Sequence, residues 1–256
     1  MNTRPRQQIL TVIAIALTFA SGAADVASFT RLGGVFTSVM TGNIVLWGLA
    51  AARGSLTLAA HTAVSIAGYI AGVAGGAWIA HGVKAAPAVK GTASATASAS
   101  TDHEGALPGS VLWVLLAQLT LLAGFTVGWE VTGASPAGWA QFGLLATLAA
   151  AMGMQSSAVN NMGLTEVSTT YLTGTLTGLV SSLASPGQDT PHGLRRFGVL
   201  IGLVAGASLC GLLVATAADG VPALPLAALI TTIAAAIGPG WRFPGRGRRS
   251  PEKRPS

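Results

Sequence analysis

The chain has 256 residues, of which 51% are hydrophobic and only 9% charged, against roughly a quarter charged in an ordinary soluble domain. That balance excludes a soluble domain and leaves an all-α polytopic integral membrane protein whose first partner is the lipid bilayer. The net charge of +6 comes largely from the end of the chain, where Arg242, Arg246, Arg248, Arg249, Lys253 and Arg254 crowd together. Behind a membrane span such a cluster reads as a cytoplasmic anchor beside anionic lipid, and not as a nucleic-acid site.

Apolar runs of roughly 17 to 25 residues mark candidate spans. Six are strong: Ile9–Phe29, Leu56–Ala80, Ser110–Glu130, Ala137–Val159, Leu194–Ala217 and Pro222–Ile237. The first follows Arg4 and Arg6, but its length and the runs behind it favour a retained helix over a cleaved leader. Two weaker runs, Gly34–Ala51 and Val167–Ala184, carry the polar motifs described below, and either span or re-enter. Each is about 18 residues, long enough to cross, so eight crossings are expected. All six tryptophans fall near predicted helix ends, as interfacial indoles should. The Ala/Ser/Thr stretch between Lys84 and Gly109 reads as a flexible linker. Lys and Arg placement puts both termini in the cytoplasm whether the motif segments span or re-enter. Cys210 is the only cysteine, so no internal disulfide forms.

Eight helices divide into two sets of four within a single membrane domain. Repeat one covers 9–130, repeat two 137–238, and a basic tail 239–256. The second helix of each set holds a Thr-Gly motif. Met40-Thr41-Gly42-Asn43 is echoed by Leu172-Thr173-Gly174-Thr175, at an offset of 132 residues. The third helix of each set carries glycines four apart, Gly68, Gly72 and Gly76, then Gly198, Gly202 and Gly206. That spacing lets helix backbones approach closely in a membrane.

Hydroxyls and amides are costly in hydrocarbon unless something bonds them. Two polar, glycine-punctuated segments at matching places in two apolar halves therefore point to a transporter's central site. Asp25, late in the first helix, is a candidate proton or cation acceptor or substrate contact. The alternative is that it reaches water or pairs with Arg31. Thr37, Ser38, Thr41, Gly42 and Asn43 form the first polar segment. Thr169, Thr173, Gly174 and Thr175 form the second, joined by Gln155 and Asn160 at the end of the fifth helix. Thr37 and Thr41, four apart, share a face if that segment is helical. The competing reading makes the same hydroxyls interhelical glue worth about 0.6 kcal/mol each.

His61 is a lone histidine in the third helix, more in keeping with a structural hydrogen bond than with a relay. The other histidines lie in loops, so no metal site is indicated. No phosphate-binding loop, metalloprotease motif or nucleophile elbow occurs, so neither an enzyme nor a cofactor is expected.

Asp25, Phe29, Leu32-Gly33-Gly34-Val35-Phe36 and Met40-Thr41-Gly42-Asn43 together resemble the N-terminal signature of the YoaK-type family. A second signature follows in Gly153-Met154-Gln155-Ser156-Ser157-Ala158-Val159 and Thr169-Thr170-Tyr171-Leu172-Thr173-Gly174-Thr175-Leu176. The family usually has a basic residue just after the alanine of the second signature, where this chain has Asn160 and Asn161. The resemblance implies a bacterial plasma-membrane protein with a domain of unknown function, and it names no substrate. The expected function is a small-solute secondary transporter or permease, with Asp25 taking a proton or cation and the motif residues lining the path. The alternative is a non-transporting scaffold or partner subunit. The substrate is a small molecule or ion of unknown identity, and the sequence leaves open whether the chain works alone or as a homo-oligomer.

Overall fold

In hydrocarbon a single segment can satisfy its own backbone N–H and C=O groups only as a helix. The computed structural model describes residues 3–85, 109–162, 172–184 and 190–237, and every regular element among them is helical. In chain order these are α1 (Thr3–Arg31), α2 (Met40–Arg53), α3 (Leu56–Ala85), α4 (Gly109–Val131), α5 (Gly138–Asn161), α6 (Leu172–Ala184), α7 (Thr190–Thr216) and α8 (Ala223–Ile237). A 3-10 turn, Ala218–Gly220, leads into α8. The six strong apolar runs all lie in helices close to their expected limits. Most of the Ala/Ser/Thr linker, the basic tail and residues 163–171, Thr169 among them, lie outside the described residues.

Six helices are long and apolar enough to cross a membrane: Gln8–Arg31, Leu56–Gly82, Gly109–Val131, Gly138–Asn161, Arg195–Thr216 and Ala218–Ile237. The motif helices are not among them. The 14 residues of α2 extend only about 21 Å, against a hydrocarbon core of about 30 Å. The 13 described residues of α6 are fewer still. The crossing expected of the first motif segment therefore does not form, and six candidate crossings are found among the described residues; residues 167–171 of the second motif segment lie outside them.

The helix expected from Gly34 starts only at Met40. Gly33 and Gly34 adopt φ of +102° and +74°, a left-handed turn that ends α1 and that a side chain would strain. Residues 35–39 are non-helical, so Thr37 and Thr41 do not share a helical face.

Four contacts fix which helix ends lie together. A Cβ on Gly33 would fall 2.0 Å from Cδ2 of His61, so the end of α1 abuts the start of α3. Gln141, in the first turn of α5, donates to the Arg31 carbonyl at 2.9 Å. Arg31 in turn donates to the Val214 carbonyl, near the end of α7, at 3.1 Å. Trp129, near the end of α4, gives its indole N–H to the Ala218 carbonyl ahead of α8 at 3.0 Å. The ends of α1, α4 and α7 and the starts of α3, α5 and α8 thus share one face of the bundle. The chain between α1 and α3 leaves that face and returns to it. It runs inward as far as Asp25, and α2 brings it back.

α1 and α5 are the most enclosed helices. The broadest packing pairs α3 with α5 and α1 with α7, followed by α4 with α5 and α1 with α8. Glycine makes the first two pairs possible. A Cβ on Gly72 would stand 2.0 Å from the Ala150 carbonyl oxygen, and one on Gly153 2.2 Å from that of Tyr69. Across the other pair, a Cβ on Gly206 would stand 2.1 Å from the Phe19 carbonyl oxygen, and one on Gly22 2.2 Å from that of Leu203. Trp47, Trp78, Trp113 and Trp139 are exposed as expected of interfacial indoles, but Trp129 is fully buried. Its indole joins two helices at their shared face, and Trp241 lies outside the described residues.

Two outcomes follow from this packing. Gly72→Ala and Gly206→Ala force a methyl group onto a facing backbone carbonyl and should each lower stability by about 1–3 kcal/mol. Gly48→Ala, in open space on α2, should be neutral or stabilise by up to about 1 kcal/mol through helix propensity. Thermal unfolding in detergent compares the three. For topology, single cysteines at Ser55 and Ser135 in a Cys210→Ala background should react with an impermeant maleimide from the same side of the membrane, and one at Gly82 from the other. A cysteine at Thr3 should label from the side opposite Ser55→Cys, because only α1 crosses between them; labelling of both from the same side would restore the eight-crossing arrangement.

Candidate functional site

Along α1 the buried polar residues are Thr18, Ser21, Asp25 and Ser28. Their spacing of three, four and three residues places them on one helical face. Thr18 and Ser21 bond back to the carbonyls of Ala14 and Leu17 at 2.7 and 3.2 Å, a common way to satisfy a hydroxyl inside a helix. Ser28 donates to the Val35 carbonyl at 2.8 Å, which begins the attachment of the inward-running segment to α1.

Asp25 completes that attachment. Its Oδ1 accepts the backbone N–H groups of Thr37 and Ser38, both at 2.8 Å, and the Thr37 hydroxyl at 3.2 Å. Oδ2 accepts the Ser38 hydroxyl at 2.5 Å. One carboxylate therefore satisfies four donors that the non-helical segment would otherwise bury unpaired. The expected alternative, a pair with Arg31, is not formed, because Arg31 reaches the Val214 carbonyl instead.

Asn43 does the same work from α2. Its Oδ1 accepts the Phe36 N–H at 2.9 Å, and its Nδ2 donates to the Phe36 carbonyl at 2.7 Å and to the Ser65 hydroxyl at 3.1 Å. Ser65 of α3 donates to the same Phe36 carbonyl at 2.5 Å. The Phe36 peptide groups are thus clamped by two helices. Gly42 faces the Phe36 ring, which a Cβ would meet at 3.2 Å, and Phe36 stacks on Phe29 with ring centroids 5.2 Å apart. Thr41, by contrast, is exposed.

Gln155 belongs to a separate cluster near the middle of the bundle. Its Nε2 donates to the Leu17 carbonyl at 2.9 Å and to the Ser21 hydroxyl at 2.8 Å, and its Oε1 accepts Nε2 of Gln118 at 3.0 Å. Gln118, on α4, is fully buried, and its own Oε1 has no partner. Sequence reading passed over Gln118 and Ser21. The available signal was an amide in the middle of an apolar span and a three-four-three polar stripe on α1.

The second motif is placed differently. Thr175 is buried, whereas Thr173, Gly174 and Asn160 are exposed, and Thr169 is outside the described residues. No described atom lies within 4 Å of a Cβ on Gly174. The candidate residues thus separate into two groups that do not bond each other: Asp25, Thr37, Ser38 and Asn43 around the inward-running segment, and Gln155 in the central cluster. Both groups are reached by the polar stripe of α1.

His61 is held rather than free. Its ring nitrogens lie 2.8 Å from the Thr57 carbonyl and 3.2 Å from Oε1 of Gln141, and its ring stacks on Phe142 at 4.4 Å. The histidine therefore ties α3 to α5 beneath the Gly33 turn.

A multi-pass helical membrane protein with a segment that folds back into the bundle is the class these features define. Residues 13–237 match the family described as Protein of unknown function (DUF1275), and the chain belongs to that family. It is similar to UPF0700 transmembrane protein YoaK of Bacillus subtilis (strain 168), with 30% identity over 169 residues. The aligned part covers 66% of this chain and 64% of that protein, so it spans less than two thirds of the relative's length. No solved structure matches.

The clamp around Phe36 has a measurable strength. Asn43→Ala leaves the Phe36 N–H without its partner and takes one bond each from the Phe36 carbonyl and the Ser65 hydroxyl, which still bond each other, and should cost about 1–3 kcal/mol. Thr41→Ala, two residues away and exposed, should stay within about 0.5 kcal/mol of the parent. Equal midpoints for the two variants in a thermal melt would remove Asn43 from the scaffold.

Proposed function

We propose that the protein is a secondary transporter or permease for small solutes, built from two inverted halves, α1–α4 and α5–α8. The packing supports the duplication. Exchanging the halves turns the α1–α7 pair into α5–α3, α4–α5 into α8–α1, and α2–α3 into α6–α7, each of which is a packed pair. The glycine contacts exchange in the same way: Gly72 on Ala150 matches Gly206 on Phe19, and Gly153 on Tyr69 matches Gly22 on Leu203. With three crossings in each half, α1 and α5 run in opposite directions, the inverted plan common among secondary transporters. Both termini face the cytoplasm of a bacterial inner membrane, in keeping with the basic tail.

The observation that carries the reading is the buried polar stripe of α1. It runs from the central glutamines to Asp25, the one buried acidic side chain among the described residues, and intramembrane carboxylates mark ion and proton paths. Asp25 holds the inward-running segment when charged. Taking up a proton weakens its grip on Thr37 and Ser38, which couples ion binding to movement of that segment. The competing reading, a non-transporting scaffold, draws on a different fact. All four hydrogen bonds of Asp25 go to the chain itself, as in a purely structural clamp.

Asp25→Asn separates the two. The amide oxygen still accepts from Thr37 and Ser38, and the NH2 group donates to the Ser38 hydroxyl, so folded yield should fall little. Transport predicts that this variant loses solute-driven proton movement in everted vesicles, measured with a pH-sensitive dye across a metabolite panel. A parent protein that moves no member of the panel would favour the scaffold, and a variant that moves solute as well as the parent would remove Asp25 from the coupling.

A further inference from the structure

The central amide chain has a direction, and the direction leaves something missing. The Leu17 carbonyl can only accept, so the Gln155 group facing it must be its NH2. That leaves Oε1 of Gln155 to face Gln118, which must therefore present its own NH2. The orientation is passed along the chain, and the atom left over is an acceptor, Oε1 of the fully buried Gln118. Reversing the Gln118 amide would set two oxygens against each other. A partnerless carbonyl inside an apolar bundle is costly unless a donor supplies its bond.

We propose that Gln118 Oε1 is the recognition point of a central binding position for an uncharged hydrogen-bond donor. In the empty protein the donor is a water molecule. In the loaded protein it is the O–H or N–H of a neutral polar solute. The side chains bonded into this chain, Ser21, Gln118 and Gln155, carry no charge, and Asp25 spends its carboxylate on Thr37 and Ser38. A charged solute would find no counter-charge there, and desolvating it would go uncompensated. The solute part of the proposal rests on the transport reading; the binding position does not.

Two measurements test it. The first is a crystal structure of the full chain in a lipidic phase, at a resolution that shows ordered water, about 2 Å. A density peak within hydrogen-bonding distance of Gln118 Oε1 is expected; a carbonyl packed on carbon with no peak overturns the proposal whether or not the protein transports. The second is flux into proteoliposomes, with glycerol and acetamide as neutral probes and methylammonium and acetate as charged ones. The neutral probes should equilibrate faster than in protein-free liposomes, and Gln118→Met should slow them about tenfold. Gln118→Asn, which withdraws the carbonyl by one methylene, covers the case in which Gln118→Met does not fold and should slow them as well. Undiminished flux in a folded variant, or preference for the charged probes, overturns the proposal. A density peak with no flux of any probe upholds the position and counts against the transport reading instead.

Discussion

A carboxylate buried in a membrane bundle must be given donors, and a stretch of non-helical backbone in the same place must be given acceptors. Asp25 and the segment ending at Ser38 meet both demands in one contact. Without it, the N–H groups of Thr37 and Ser38 would lie unpaired among apolar side chains, and nothing would keep that segment folded inward. The position of α2 and its return to the face it left follow from that contact and from the Asn43 clamp on Phe36.

The second constraint is close approach. With no hydrophobic drive between helices in lipid, association depends on packing area, and glycine supplies it by removing the side chain at the crossing. The two reciprocal crossings, α3 on α5 and α1 on α7, use the same device with the same geometry. They place α1 and α5 at the centre, which is why α1 can carry four polar residues on one face without presenting them to lipid. The polar stripe depends on the glycine contacts, because a lipid-facing α1 could not hold it.

Polar groups in this bundle therefore do two kinds of work. Around Phe36 they are matched donor to acceptor and behave as structure. At Gln118 one is left over, and the mismatch has a defined sign, because each amide in the chain is oriented by its neighbour back to the Leu17 carbonyl. That difference separates a clamp from a binding position more sharply than residue type does, since both regions consist of the same hydroxyls and amides.

Much of the fold was legible in the sequence. Apolar run length and low charge located six spans, because crossing hydrocarbon imposes a minimum length and a helical backbone. Glycines four apart marked the helices that pack most closely, since only their spacing puts a bare backbone on one face. Asp25 and Asn43 stood out because their chemistry is costly in lipid. The role of each residue was not legible, nor was the path of the motif segments. An 18-residue apolar run is long enough to span, and only the left-handed turn at Gly33 and Gly34, together with the bonds of Asp25 to Thr37 and Ser38, made the first run part extended chain and part short helix. Trp129 had the sequence position of an interfacial anchor, yet the packing of α4 buried it. Gln118, Gln155 and Ser21 lie far apart along the chain and gained a shared meaning only when three helices met. Sequence determines which groups need partners; the tertiary structure decides which find them, because hydrogen bonding depends on position in space and not on order along the chain.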